Sequence, residues 1–154
     1  MKRHAGAANC LVGSSGYRFV HPGHSLSLRQ AYMTQFKPAG RPSVIPRIVT
    51  RDLTGLAGFL RDVFGAEGEV RPGAPTEIRI GDSIILISDG GGVREAMPAF
   101  LYVYVENADE TYRRAIAAGA ETIEAPANTP YGDRRAMVRD ASANVWQIAT
   151  YRGS

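Results

Sequence analysis

Cys10 is the one cysteine in a chain of 154 residues, so no disulfide can form within it and nothing marks an oxidising compartment; a cytoplasmic home is the expectation. Histidine is nearly as scarce. His4, His21 and His24 all fall near the start, and from residue 45 onward there is neither His nor Cys. The folded part therefore lacks the commonest metal ligands, the usual general base near neutral pH and any thiol nucleophile. Acidic side chains are missing from residues 1 to 51, which hold eight bases. Residues 52 to 154 thus carry 18 − 8 = 10 bases against all 15 acids, a net of −5. The pI of 9.2 belongs to the first segment and is a poor argument for nucleic-acid binding by the rest. No apolar run approaches the roughly 20 residues of a membrane-spanning helix. Neither nucleic acid nor membrane is an expected partner.

What is present fits one soluble domain with a real core: 44% hydrophobic residues and a mean hydropathy of −0.17. Residues 1 to 44 are rich in Gly, Ser, Pro and bases without sustained periodicity, which reads as a mobile extension. Their "ANCLVGSSG" is no secretory h-region. Translation starting at Met33 is the other reading of this segment. The folded domain is expected over residues 45 to 151.

Within it, residues 45 to 50 read as a strand, and Leu53, Leu56, Phe59, Leu60, Val63 and Phe64 then fall at helical spacing with Gly65 as the stop. Strand signals follow at 68 to 71, 76 to 80 and 83 to 88, the last two joined by a Gly81-Asp82 turn. "DGGG" at 89 to 92 interrupts the pattern and has no helix-opening Lys-Ser to make it a phosphate loop. A strand at 100 to 105, a helix at 108 to 118 with Tyr112, Ala115 and Ile116 on one face, and strands at 121 to 124, 134 to 139 and 144 to 150 complete the pass. Each half is β-α-β-β-β. The Gly-Ala-Glu triplets beginning at Gly65 and Gly119 are 54 residues apart, and Asp52 and Asn107 are 55 apart. An internal duplication is the simplest account.

The residues that carry a resemblance are "IPRIVTRD" before the first helix, "FGAE" after it, "IRIGDSIILISD", "YVYVENADETYRRAIAAGAE" and "YGDRRAMVRDASANVWQIAT". In this order they resemble the vicinal oxygen chelate superfamily of glyoxalases, extradiol dioxygenases and bleomycin-resistance proteins, in its PhnB-like branch, over about residues 44 to 151. The resemblance implies an α+β fold of two pseudo-repeated βαβββ modules forming an open-barrel pocket, a small-molecule ligand and a homodimer. It also implies a divalent metal held by His and Glu. Those positions here are Ile45, Leu86, Phe100 and Gln147, with Pro75 where the branch often has a further His. Three are hydrocarbon and Gln147 is a weak neutral ligand, so no metal and no other cofactor is expected.

Alternation places Leu101, Val103 and Val105 on a helix-packed face and Phe100, Tyr102 and Tyr104 on the opposite one. With Arg47, Arg79, Arg134 and Gln147 they form the candidate ligand-binding set, suited to aromatic, carboxylate or amide groups. Arg134 enters through the "YGDRR" motif, as a residue reaching the pocket mouth. Glu77 and Arg79, two apart on one strand, also fit an exposed ion pair. The expected function is metal-independent binding of a small molecule, sequestering a cationic aromatic drug or metabolite. One alternative is a glyoxalase-like lyase or isomerase, or a dioxygenase-related enzyme, with Glu77 as base and Tyr102 or Tyr104 as acid. A regulatory module whose basic tail binds an acidic partner is the other.

Overall fold

The structure, a computed structural model, describes residues 36–153; the readings of residues 1 to 35 lie outside the described residues. Arg41–Ser154 form one compact unit. Its elements are β1 (Arg47–Thr50), α1 (Leu53–Phe64), β2 (Thr76–Ile80), β3 (Ser83–Asp89), β4 (Phe100–Tyr104), α2 (Ala108–Ala117), β5 (Glu121–Asn128), β6 (Asp133–Arg139) and β7 (Val145–Tyr151). The fold is α+β with two open sheets, ordered β1-β3-β2 and β4-β7-β6-β5, and no closed barrel.

The two modules repeat one plan. In each, the strand before the helix runs parallel to the last strand of the module, β1 with β3 and β4 with β7, and the remaining pairs are antiparallel. Both helices begin on a side-chain cap. Asp52 accepts from the Gly55 N–H at 2.8 Å and Asn107 from the Glu110 N–H at 3.1 Å, satisfying donors that a helix N-terminus leaves open. Gly65 ends α1 in the left-handed region, φ 64°, where a side chain is disfavoured.

The first module lacks the strand expected at 68 to 71. Only Glu67 pairs there, exchanging hydrogen bonds of 2.9 and 2.8 Å with Arg79. Beyond it "GEVRPGAP" cannot sustain a ladder, because Pro72 and Pro75 have no N–H to give. Gly68 sits at φ 145°, and a Cβ there would lie 2.3 Å from the Glu77 carbonyl oxygen. The chain can turn away from β2 only without a side chain.

One core serves both modules. Ile48, Ile85 and Ile87 from the first sheet, Val138, Trp146 and Ile148 from the second, and the inner faces of both helices form a continuous buried cluster. Trp146 is fully buried, its ring 5.3 Å from Phe64 and 6.3 Å from Phe59 between centroids, so α1 of one module packs on β7 of the other. The Trp146 Nε1–H donates to Asp140 at 2.8 Å, and the Thr50 and Ser142 hydroxyls meet at 2.9 Å, tying β1 to the turn before β7. On α2 the buried residues are Ala108, Thr111 and Ala115, whereas Ile116 is exposed. Ala115 and the half-buried Tyr112 of the expected face do pack on the core, and Ile116 is the residue that departs from it.

Candidate functional site

Because the helices cover one face of each sheet, the other face is left open. Leu101, Val103 and Val105 pack against the core, so strand alternation sends Phe100, Tyr102 and Tyr104 to the open side, where they are 64%, 40% and 63% exposed. In register beside them on β7 lie Val145, Gln147 and Ala149, and next on β6 come Arg139, Met137 and Arg135. Phe100, Tyr102, Tyr104 and Gln147 thus share one surface.

Asp133 organises it. Its residue is only 3% exposed, and its Oδ2 accepts from the Tyr102 hydroxyl and from the Tyr104 hydroxyl at 3.2 Å. The two rings lie 5.2 Å apart, tilted by 55°. A phenol has one proton. With that proton given to Asp133, each oxygen presents only lone pairs to anything lying above it. Burial, then the hydrogen bond to Asp133, pushes the Tyr102 phenol well above its ordinary range. Tyr104 is shifted upward by the same two causes. Both therefore stay neutral at any physiological pH.

Arg135 lies on the same face, between Glu124 at 2.5 Å and the Tyr131 hydroxyl at 3.0 Å, and its buried Nε has no hydrogen-bond partner among the described residues. Burial works against its charge, but the Glu124 carboxylate outweighs it. Sequence reasoning missed Asp133, Arg135, Tyr131 and Glu124. The signal for Arg135 was available in "DRRAMV": alternation groups Arg134 with Ala136 and Val138, the core-facing residues, and Arg135 with Asp133 and Met137. Arg134 indeed lies on the helix side. Its guanidinium grips Asp109 of α2 in two-point fashion, Nε to Oδ2 at 2.9 Å and an Nη to Oδ1 at 2.7 Å, and it does not join the tyrosines.

The residues expected from the first module stand apart. Glu77 and Arg79 line a cavity of about 510 Å³ with Arg41, Glu67, Glu69 and Arg71, and Glu77 is ion-paired with Arg41, not with Arg79. Tyr102 and Tyr104 border a different cavity of about 460 Å³, lined on its far side by Pro46 and by the β2–β3 turn from Ile80 to Ile85. Arg47 is exposed and borders neither. The pairing of Glu77 with a tyrosine acid needed for proton transfer is not assembled within the single chain.

The positions where the resemblance puts metal ligands can be judged by their donors. Ile45, Leu86 and Phe100 have no lone pair to offer, and Gln147 supplies one neutral amide. Among the described residues no three His, Cys, Asp or Glu side chains gather as a metal site would require. The donor set does not fit a divalent ion.

The Glyoxalase/Bleomycin resistance protein/Dioxygenase superfamily matches residues 43–148. The chain belongs to this superfamily. Comparison with curated proteins gives no match. Among solved structures, TioX from Micromonospora sp. ML1 is 21% identical with a TM-score of 0.62, over 72% of this chain and 99% of that one. A glyoxalase/bleomycin resistance protein/dioxygenase family enzyme from Burkholderia phytofirmans PsJN is 26% identical, with a TM-score of 0.57 over 68% and 94%. The fosfomycin resistance protein FosX from Listeria monocytogenes is 20% identical, with a TM-score of 0.58 over 73% and 91%. TioX and FosX share the superfamily fold with this chain, and their low identity carries nothing further.

Proposed function

We propose that this member of the superfamily binds a small molecule without a metal, in the cytoplasm, and that its ligand is a cationic aromatic drug or metabolite. The observation that carries this reading is the pair of exposed tyrosines whose hydroxyls both donate to the buried Asp133. Ring faces favour a stacked aromatic or a cation, outward lone pairs favour donors, and the nearby carboxylates disfavour an anion. Net charge adds little. Counted from Arg41 the domain holds 13 bases and 15 acids, a net of 13 − 15 = −2, so local charge is the stronger argument.

A homodimer is part of the proposal. Phe100, Tyr104 and Tyr151 are each more than 60% exposed on the open face, apolar surface of a kind that a second copy or a ligand would cover. Thermal unfolding with intercalating and glycopeptide antibiotics tests the binding reading. A ligand at a hundredfold excess over its Kd adds about 2.7 kcal/mol, enough to raise Tm by roughly ten degrees in a domain of this size. The Tyr102→Ala/Tyr104→Ala double variant should lose that rise. No shift with any cationic aromatic compound removes the proposal.

A further inference from the structure

A second property follows from the direction of two protons. Tyr102 and Tyr104 each have a single hydroxyl hydrogen, and both point at the same oxygen of Asp133. Asp133 is 3% exposed and held at its own backbone, its N–H bonded to the Thr129 hydroxyl at 3.0 Å and its carbonyl to the Thr129 N–H at 2.7 Å. The carboxylate is therefore a fixed acceptor, and the phenols cannot turn their protons outward without abandoning a charged partner, the costlier kind of hydrogen bond to lose. Arg135, two residues along β6, does not offset this: Glu124 meets its charge and Tyr131 accepts from one Nη, and the unpartnered Nε is buried rather than presented to a ligand.

We infer that Asp133 is a positioning residue that sets the hydrogen-bond polarity of the binding face, so that the site selects ligands presenting N–H donors, such as amidinium or protonated amine groups, over cations that have none. This rests on the binding reading above and narrows it. Charge and an aromatic ring would suffice for cation–π attraction alone; the oriented phenols add a requirement that a quaternary ammonium cannot meet.

The test compares two small aromatic monocations on the full chain, benzamidinium, which carries N–H donors, and phenyltrimethylammonium, which carries none. Affinities come from chemical-shift titration. Wild type should favour benzamidinium by about tenfold, the size of one charge-assisted hydrogen bond. In Asp133→Asn the new amide can donate to a phenol oxygen and release its proton, so the preference should fall to near one; Asp133→Glu should restore it. Should Asp133→Asn fail to fold, Tyr102→Phe/Tyr104→Phe removes the oxygens while keeping the rings, and it too should lose the preference. Equal affinity for both cations in wild type overturns this inference and leaves the binding reading in place. An unchanged preference in either folded variant also overturns it. Failure of wild type to bind either cation counts against the binding reading itself, and this inference falls with it.

Discussion

Two adjacent arginines with opposite fates show what a single side chain contributes. Arg134 faces the helix side and clamps Asp109 at 2.7 and 2.9 Å, while Arg135 faces the tyrosines. Replacing Arg134 by Met should leave ligand affinity unchanged. Its effect belongs to stability: Arg134 holds the Asp109 carboxyl below its ordinary value of 3.8. A depressed carboxyl contributes stability that is present above that ordinary value and lost as pH falls through the lowered one. Acid unfolding followed by circular dichroism should be less steep below pH 3.8 in Arg134→Met, and an unchanged profile would refute the assignment. The tyrosines give the opposite sign. The Tyr102 phenol lies above its ordinary value of 10.0, chiefly through burial and then through Asp133, so its contribution is present below that value and fades as pH rises past it. Ultraviolet phenolate absorbance should show a tyrosine resisting ionisation through the usual range, and Asp133→Asn should bring it down. Phe100, Tyr102 and Tyr104 were legible in the sequence because alternation along β4 puts them on one face, whereas Gln147 came through the resemblance and is brought beside Tyr102 by the register of β4 with β7. Asp133 was not legible, because its partners are 31 and 29 residues away and no local pattern records that closure. The "YGDRR" motif points to Arg134, and the alternation of β6, which sets Arg135 on the face of Asp133 and Met137, lies outside what that motif records.

At the scale of elements, periodicity and a glycine stop made the helices readable. Gly65 stands at the end it was expected to mark, while Asp52 and Asn107, matched in the sequence only as equivalent points of the repeat, are the two N-caps. The missing strand of the first module was harder, since alternation in "GEVR" resembles a strand and only tertiary geometry shows that Gly68 must turn away. Gly68→Ala should destabilise the domain, because its Cβ would meet the Glu77 carbonyl oxygen at 2.3 Å; a melting temperature equal to wild type would contradict this. The turn before β7 offers the reverse case. Ala143 occupies φ 64°, a conformation that costs a residue with a Cβ about 1–2 kcal/mol. It is kept in place by Asp140, which accepts from the Ser142 and Asn144 N–H groups at 2.8 and 2.9 Å and from Trp146. Ala143→Gly should therefore stabilise the fold by about 1 kcal/mol, allowing for the entropy that glycine adds to the unfolded chain. Denaturant unfolding measures it, and a loss of stability would show that the turn is not strained.

For the whole molecule, the duplication seen in the sequence explains the shared plan of the two sheets, but not how they meet. Repeated elements predict two concave walls. Packing decides that both helices, both sheets and Trp146 share one buried core, and that the Glu77 and Tyr102 sides border separate cavities in one chain. Sequence cannot state that arrangement because it depends on which faces of two similar modules bury each other. The donor chemistry at Ile45, Leu86, Phe100 and Gln147 was readable directly, being a matter of residue type. Native mass spectrometry of protein purified from its own host without added metal tests the central claim most directly, reading metal, ligand and copy number together. The account predicts a metal-free dimer carrying a small organic cation; one stoichiometric metal ion per chain, with no organic adduct, would contradict it.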